Sequence, residues 1–248
     1  MVPIIWYVFC LLEQYLIIRI DLREKLKHTY WLTTLIVSYI IRTSSTFIPT
    51  HVRPTKVVEI PKMTKAKMEV ATKEEFNPIA QDIKKGKLRD YHGPIFWNYG
   101  CIPQTWEDPN ANHPELNCLG DNDPIDVVEI GSAALSMGTI QPVKALGVLA
   151  MIDDGELDWK VIAIATNDPL AETMHDITDV PAAVQAGIRE WFRWYKTPDD
   201  KPLNAFGFDE QYLNKEKAEE VILETHEAWK SLQAGTTDAG KLWTGKSE

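Results

Sequence analysis

Asp121, Asp123 and Asp126 crowd three carboxylates into six positions of the string Gly120-Asp121-Asn122-Asp123-Pro124-Ile125-Asp126-Val127-Val128-Glu129-Ile130-Gly131, which then enters an apolar strand. Crowded carboxylates repel and raise one another's pKa unless cations sit between them. A hard divalent ion such as Mg2+, which takes oxygen ligands, is the simplest such cation. An acidic surface turn is the ordinary alternative, since Asn, Asp and Pro are common turn residues. The wider string favours a metal site. Two other Asp-rich sites fail on the same residues. A calcium loop of the EF-hand type needs an oxygen ligand at its fifth position and Gly at its sixth; this chain has Ile125 and Asp126 there. An aspartyl-phosphate nucleophile needs a buried apolar strand before the first Asp, whereas Asn117-Cys118-Leu119-Gly120 reads as a loop. A glycosyltransferase DxD, which presents carboxylates to a metal holding a diphosphate, stays open on these residues alone.

A second acidic cluster lies downstream, where the apolar runs Val143–Ile152 and Leu157–Ala165 flank Asp153-Asp154-Gly155-Glu156. Asp-Gly between two such runs predicts a hairpin. With Asp154 and Gly155 at its centre, Asp153 pairs with Glu156 and Met151 with Asp158. Asp153, Glu156, Asp158 and Lys160 then project from one face. A polar solvent face of a hairpin has the same pattern, so the cluster takes its meaning from its company. Lys67 and Glu69 share one face of a strand-like segment, and Lys84-Lys85-Gly86-Lys87-Leu88-Arg89 is a basic turn entering another strand. Two carboxylate clusters, several cations and paired tyrosines make the inventory of a site for a small polyanion held by several metals. Phosphoryl transfer needs that inventory, because positioning and charge neutralisation supply most of its catalysis.

The elements that must position these residues are short strands with turns, followed by helices. Val57–Pro61 and Ala66–Val70 read as strands. Glu190–Lys196 ends a helix, with Pro198 beyond it. Lys215–Leu232 is amphipathic, with Ala218, Val221, Ile222, Thr225, Trp229 and Leu232 at helical spacing. The tail from about residue 234 is rich in Gly, Thr and Lys and is expected to be mobile. At 248 residues, with 44% hydrophobic and 25% charged content, the chain is an ordinary globular protein holding one domain over residues 51–248. A net charge of -10 argues against a nucleic-acid partner, but not against an anionic substrate, because bound cations invert the local charge. Cys10, Cys101 and Cys118 have no metal-ligand spacing and point to a reducing compartment.

Residues 1–50 form an atypical leader, with apolar runs at Val2–Leu12 and Tyr30–Ile41 separated by Arg19, Arg23, Lys25 and Lys27. Neither run reaches the ~20 residues of a membrane span. The expected compartment is cytoplasmic, with a mitochondrial or membrane-associated location through the leader as the alternative.

With these strings together, the sequence resembles the soluble family I inorganic pyrophosphatases of the eukaryotic type. Their D-x-D-P-x-D string is matched by Asp121 to Asp126. The resemblance extends through VVEIP from Val57, AKMEVATKE from Ala66, KKGKLR from Lys84 and NYG from Asn98. It continues through PQTWEDPN from Pro103, DDGELDWKVIAI from Asp153 and the Phe192–Lys196 region. It implies an α+β, mainly β fold: an OB-like twisted five-stranded β-barrel core with packed outer helices. It implies Mg2+-dependent hydrolysis of pyrophosphate, with several ions held by Asp121, Asp126, Asp153, Asp158 and Glu69. Asp123 takes a proton from the attacking water. Lys67, Arg89, Tyr99, Lys160, Tyr195 and Lys196 contact the phosphoryl groups, and Glu59 and Glu156 support the site. A homodimer is also implied, although Lys62-Met63 replaces the Arg-Trp that eukaryotic relatives carry near their dimer contact. The chain is several residues shorter than those relatives between Arg89 and Asn98, where a tyrosine of theirs aligns with Ile95, and it is shorter again between Val180 and Trp191.

Overall fold

The computed structural model of the chain describes residues 54–245; the expected leader lies outside the described residues. The strands are Thr55–Ile60 (β1), Met68–Val70 (β2), Ile79–Gln81 (β3), Ile83–Lys84 (β4), Lys87–Leu88 (β5), Asn98–Cys101 (β6), Leu119–Gly120 (β7), Asp126–Glu129 (β8), Ile140–Asp153 (β9), Glu156–Ala165 (β10) and Ala205–Phe206 (β11). Two α-helices follow the long strands, Ala182–Trp194 (α1) and Lys215–Ala234 (α2).

The predicted hairpin is the spine. Asp153 pairs with Glu156 and Asp158 with Met151, the register expected from the turn. Both central residues take the left-handed conformation that a two-residue turn demands, Asp154 at φ 51° and Gly155 at φ 94°. From this spine β1 pairs with β6, β6 with β8, β8 with β10, β10 with β9, and β9 with β1. These pairings return on themselves, so five strands form a hydrogen-bonded ring. Strand β10 runs parallel to β8, and the other ring pairs are antiparallel. Among the described residues there is no doubly wound parallel sheet, which removes the nucleotide-binding scaffold a DxD glycosyltransferase would need.

The second half of β10, Val161–Ala165, is an unbroken apolar run because both of its faces are covered. Ile162 and Ile164 join the cluster that includes Ile188 and Phe192 of α1. Trp159, Val161 and Ala163 join the cluster that includes Ala218, Val221 and Ile222 of α2. Period two therefore assigns Asp158 and Lys160 to the face of the α1 cluster. Helix α2 runs to Ala234 and closes on Gly235 in the left-handed conformation at φ 76°. The stretch beyond it, expected to be mobile, is tied at Trp243, whose N–H donates to the Thr72 carbonyl at 2.9 Å while its ring packs on Phe76. Among the described residues no helix is long and apolar enough to cross a membrane.

Candidate active site

These elements bring every predicted site residue except Glu156 to the lining of one cleft of about 430 Å³. Its acidic wall comes from β10 and the loop before β8. Parallel pairing sets Lys160 beside Asp126. The Lys160 ammonium donates to Asp126, to Asp158, and to the Tyr99 hydroxyl at 3.0 Å. That hydroxyl donates in turn to Asp126. Burial works against the Lys160 charge, but Asp126 and Asp158 outweigh it and hold its pKa above the lysine range. One ammonium does not neutralise the whole wall. Burial pushes Asp158 up to about 7 against the pull of Lys160. Burial, with the charges of Asp158, Asp123 and Asp126, pushes Asp121 well above the carboxylate range.

The cationic side is assembled from three distant segments. Lys67 donates to Glu69 and lies 3.3 Å from Asp82. The Arg89 fork divides between Asp82 and Asp199, each at 3.0 Å, and its guanidinium lines the cleft. Tyr195 closes α1, and Lys196 opens the short 3-10 turn that follows. This helix end holds both over the hairpin, where Asp153 accepts from Lys196 and, at 3.2 Å, from the Tyr195 hydroxyl.

Two carboxylates at the cleft have their own environments. Glu59 of β1 is buried and accepts from the Val70 N–H at 2.6 Å; burial and the charge of Asp126 push it up to about 8. Asp123 is exposed at the mouth, where crowding by the cleft walls and the charges of Asp126 and Glu69 push it up to about 6. Glu156 stands apart, exposed beside the turn and paired with Leu119 of β7. The polar face that alternation assigns to the hairpin leaves the cleft at this end.

Several residues in and around the cleft escaped the sequence reading. Asp82 and Asp199 neutralise Arg89 from segments remote in the chain. Ile95, aligned with a tyrosine of the eukaryotic relatives, is fully buried in the core, while Tyr91 lines the cleft and packs edge-on against Trp191 at 4.9 Å. The Pro103–Asn110 string braces the Asp121–Asp126 loop. The Ile125 N–H donates to Thr105 Oγ1 at 3.0 Å, the Trp106 indole to Asn122 Oδ1 at 3.0 Å, and the Asn122 N–H to the Glu107 carbonyl at 2.9 Å. The approach is so close that a Cβ on Gly120 would lie 2.6 Å from that carbonyl oxygen. Glu107, Asp121 and Asp158 each present a carboxylate oxygen, and these atoms lie within 4.8 Å of one another. Glu107 Oε2 and Asp153 Oδ1 are buried without a hydrogen-bond partner. An all-oxygen donor set with orphaned anionic atoms fits a hard divalent cation.

Residues 56–230 match the family model described as inorganic pyrophosphatase. The chain belongs to the inorganic pyrophosphatase family. It is 57% identical to soluble inorganic pyrophosphatase 1, chloroplastic, of Chlamydomonas reinhardtii over 72% of this chain and 65% of that one. It is 54% identical to soluble inorganic pyrophosphatase 6, chloroplastic, of Arabidopsis thaliana over 75% and 63% of the two chains. It thus spans slightly less than two thirds of these relatives' length. Among solved structures, the inorganic pyrophosphatase of Schistosoma japonicum superposes with a TM-score of 0.76 at 45% identity, covering 79% of this chain and 72% of that one. The N-terminally truncated vacuolar soluble pyrophosphatase of Trypanosoma cruzi, solved in complex with PPi, superposes with a TM-score of 0.73 at 46% identity, covering 78% and 74%.

Proposed function

We propose that this protein hydrolyses inorganic pyrophosphate to two orthophosphates in this cleft, with Mg2+ as the divalent cation. The observation that carries the reading is an under-neutralised carboxylate wall facing Lys67, Arg89 and Lys196 across one polar cleft. Asp121, Asp126, Asp153, Asp158 and Glu69 would hold the ions. When bound, such ions lower the pKa of water and neutralise phosphoryl oxygens.

The chain's own residues then do the rest. Asp123, with a pKa near 6, accepts a proton from the attacking water near neutral pH. As the new bond forms at one phosphorus, the bridging oxygen leaves with the other phosphate. Lys67, Tyr195 and Lys196 take up its charge. Arg89 grips two phosphoryl oxygens with its planar fork, which a lysine cannot do. Tyr99 and Lys160 hold Asp126 and Asp158 in place and offer donors to the substrate from the cleft floor, while Glu59 supports the site from beneath. The OB-like barrel we propose is consistent with the ring of five strands that presents these groups.

Phosphate release from pyrophosphate, measured with and without Mg2+ and in Asp123→Asn, tests the reading. We expect release that requires Mg2+ and falls ~100-fold or more in the variant. Release indifferent to either overturns it. The proposed homodimer is tested by sedimentation of the full chain, since Met63 stands 60% exposed beside the segment implied in that contact. The cytoplasmic location and its alternatives rest on residues 1–50, and a reporter fused to them decides.

A further inference from the structure

Helix α2 contributes no residue to the cleft lining, yet it carries a buried polar side chain that no role above uses. His226 is 3% exposed, and its Nδ1 lies 2.7 Å from the Gln104 carbonyl oxygen. A carbonyl has no proton to give, so Nδ1 is the donor. Nε2 is buried with no hydrogen-bond partner among the described residues, which leaves the Gln104 bond as the ring's single polar contact there. The preceding residue, Thr225, accepts from the Trp106 N–H at 2.9 Å. Two successive helix residues thus grip the chain on either side of Thr105. The turn they grip is strained, because Gln104 is a buried, non-glycine residue at φ 60°. Such a conformation persists where its surroundings over-determine it, and residues of this kind cluster at active sites.

What the turn delivers is the Thr105 hydroxyl. It donates to the Ile102 carbonyl at 2.6 Å, which commits its proton and leaves a lone pair for the Ile125 N–H at 3.0 Å. Ile125 is fully buried and immediately precedes Asp126, so its backbone is a fixed point for the carboxylates around it. We infer that His226 is a positioning residue: through Gln104 and Thr105 it holds the Asp121–Asp126 loop in the geometry the reaction needs, from a helix that never meets the substrate. The assignment rests on the hydrolytic reading of the cleft. Packing alone does not call for a histidine here, since the ring stacks on Trp229 at 5.7 Å, a contact phenylalanine could keep. Lys67, Arg89 and Lys196, the cations proposed to grip the substrate, stand on other segments. Loss of the His226 donor should therefore slow the chemical step and spare substrate binding.

The test compares three substitutions in the full chain. His226→Phe keeps a ring and removes the donor, His226→Asn keeps a donor near the Nδ1 position, and His226→Gln carries the same amide one bond too far. Pyrophosphate hydrolysis at saturating Mg2+ gives kcat and KM, and NMR follows exchange of the Ile125 and Trp106 amides. His226→Phe should lose ~10–100-fold in kcat, the scale of a small misplacement of reacting groups, with KM held within roughly 2-fold. Exchange at Ile125 and Trp106 should quicken while the β9–β10 hairpin stays protected. His226→Asn should restore most of kcat and His226→Gln should not, a contrast that holds even if the Phe variant fails to fold. A packing role alone lowers the melting temperature and leaves kcat per folded molecule unchanged in every variant. That result, unchanged exchange at Ile125, or an Asn variant as slow as the Gln variant overturns the assignment. If the unmutated chain releases no phosphate, the hydrolytic reading fails, and the exchange measurement still decides whether His226 holds the loop.

Discussion

Two buried polar clusters lie on the ring of strands, and they are built on opposite terms. Around Glu129 every group has a partner. Its oxygens accept from Asn98 Nδ2 at 2.7 Å, the Gly131 N–H at 2.7 Å and the Ala165 N–H at 3.0 Å. Asn98 Oδ1 accepts from the Lys62 and Leu135 N–H groups, its amide donates again to the Ala133 carbonyl, and its own carbonyl accepts from Lys56. Around Asp121, Asp158 and Glu107, by contrast, the protein supplies one ammonium, Lys160, and leaves Glu107 Oε2 bare. A satisfied buried network specifies a fold, and an unsatisfied one is a standing demand for something from solution. The contrast separates architecture from site without reference to any relative.

Mutations can break the comparison from either side. The largest effect is expected for Asp158→Asn. It leaves Lys160 a neutral partner but weakens the cation seat, so phosphate release should fall by ~10²–10³ while far-UV circular dichroism is retained. Next is Glu129→Gln, whose amide must face a donor from Asn98, Gly131 or Ala165. Urea denaturation should show a loss of about 2–3 kcal/mol, with Mn2+ affinity unchanged. An altered Mn2+ affinity in that variant would blur the distinction between the clusters.

A pH titration sharpens it. Burial holds Glu59 at about 8 and Asp158 at about 7 in the metal-free fold, against ordinary values of 4.5 and 3.8. The folded state therefore keeps protons that the unfolded chain has released. Stability in EDTA should be greatest below about pH 4 for these two groups and decline as pH rises toward 8. Saturating Mg2+ should flatten that decline; a melting temperature in EDTA that climbs from pH 5 to 8 would contradict the picture. The smallest effect is expected for Lys56→Met. Burial pulls that lysine down to about 7, which offsets part of the bond it gives the Asn98 carbonyl, so its replacement should lower stability by about 1 kcal/mol.

The hairpin was legible because its information is local. Asp154-Gly155 sets the turn, the turn sets the register, and the register sets which faces Asp153, Asp158 and Lys160 share. The crowding of carboxylates in the Asp121–Asp126 loop was legible for the same reason. Glu107 was not, because nothing near it in the chain announces that its carboxylate points inward; its partner Trp159 arrives through the fold. Asp82 and Asp199 illustrate the same limit, since they gain meaning only where Arg89 meets both. Glu156 shows the limit of alternation, which assigns a face but not the point where that face leaves the cleft. Tyr91 was passed over because no motif pointed to it, and packing buries it with Ile95 in one core cluster.

The ring has a consequence in time. Val57 cannot meet Ile140, nor Asp126 reach Lys160, until segments far apart in the chain have been drawn together, and such closures make folding slow. A nascent chain that ends before β10 carries the Asp121–Asp126 loop and its Glu107 brace but lacks Asp158 and Lys160. Tight uptake of a divalent ion would then mark the moment the last ring strand arrives, a built-in signal that assembly is complete.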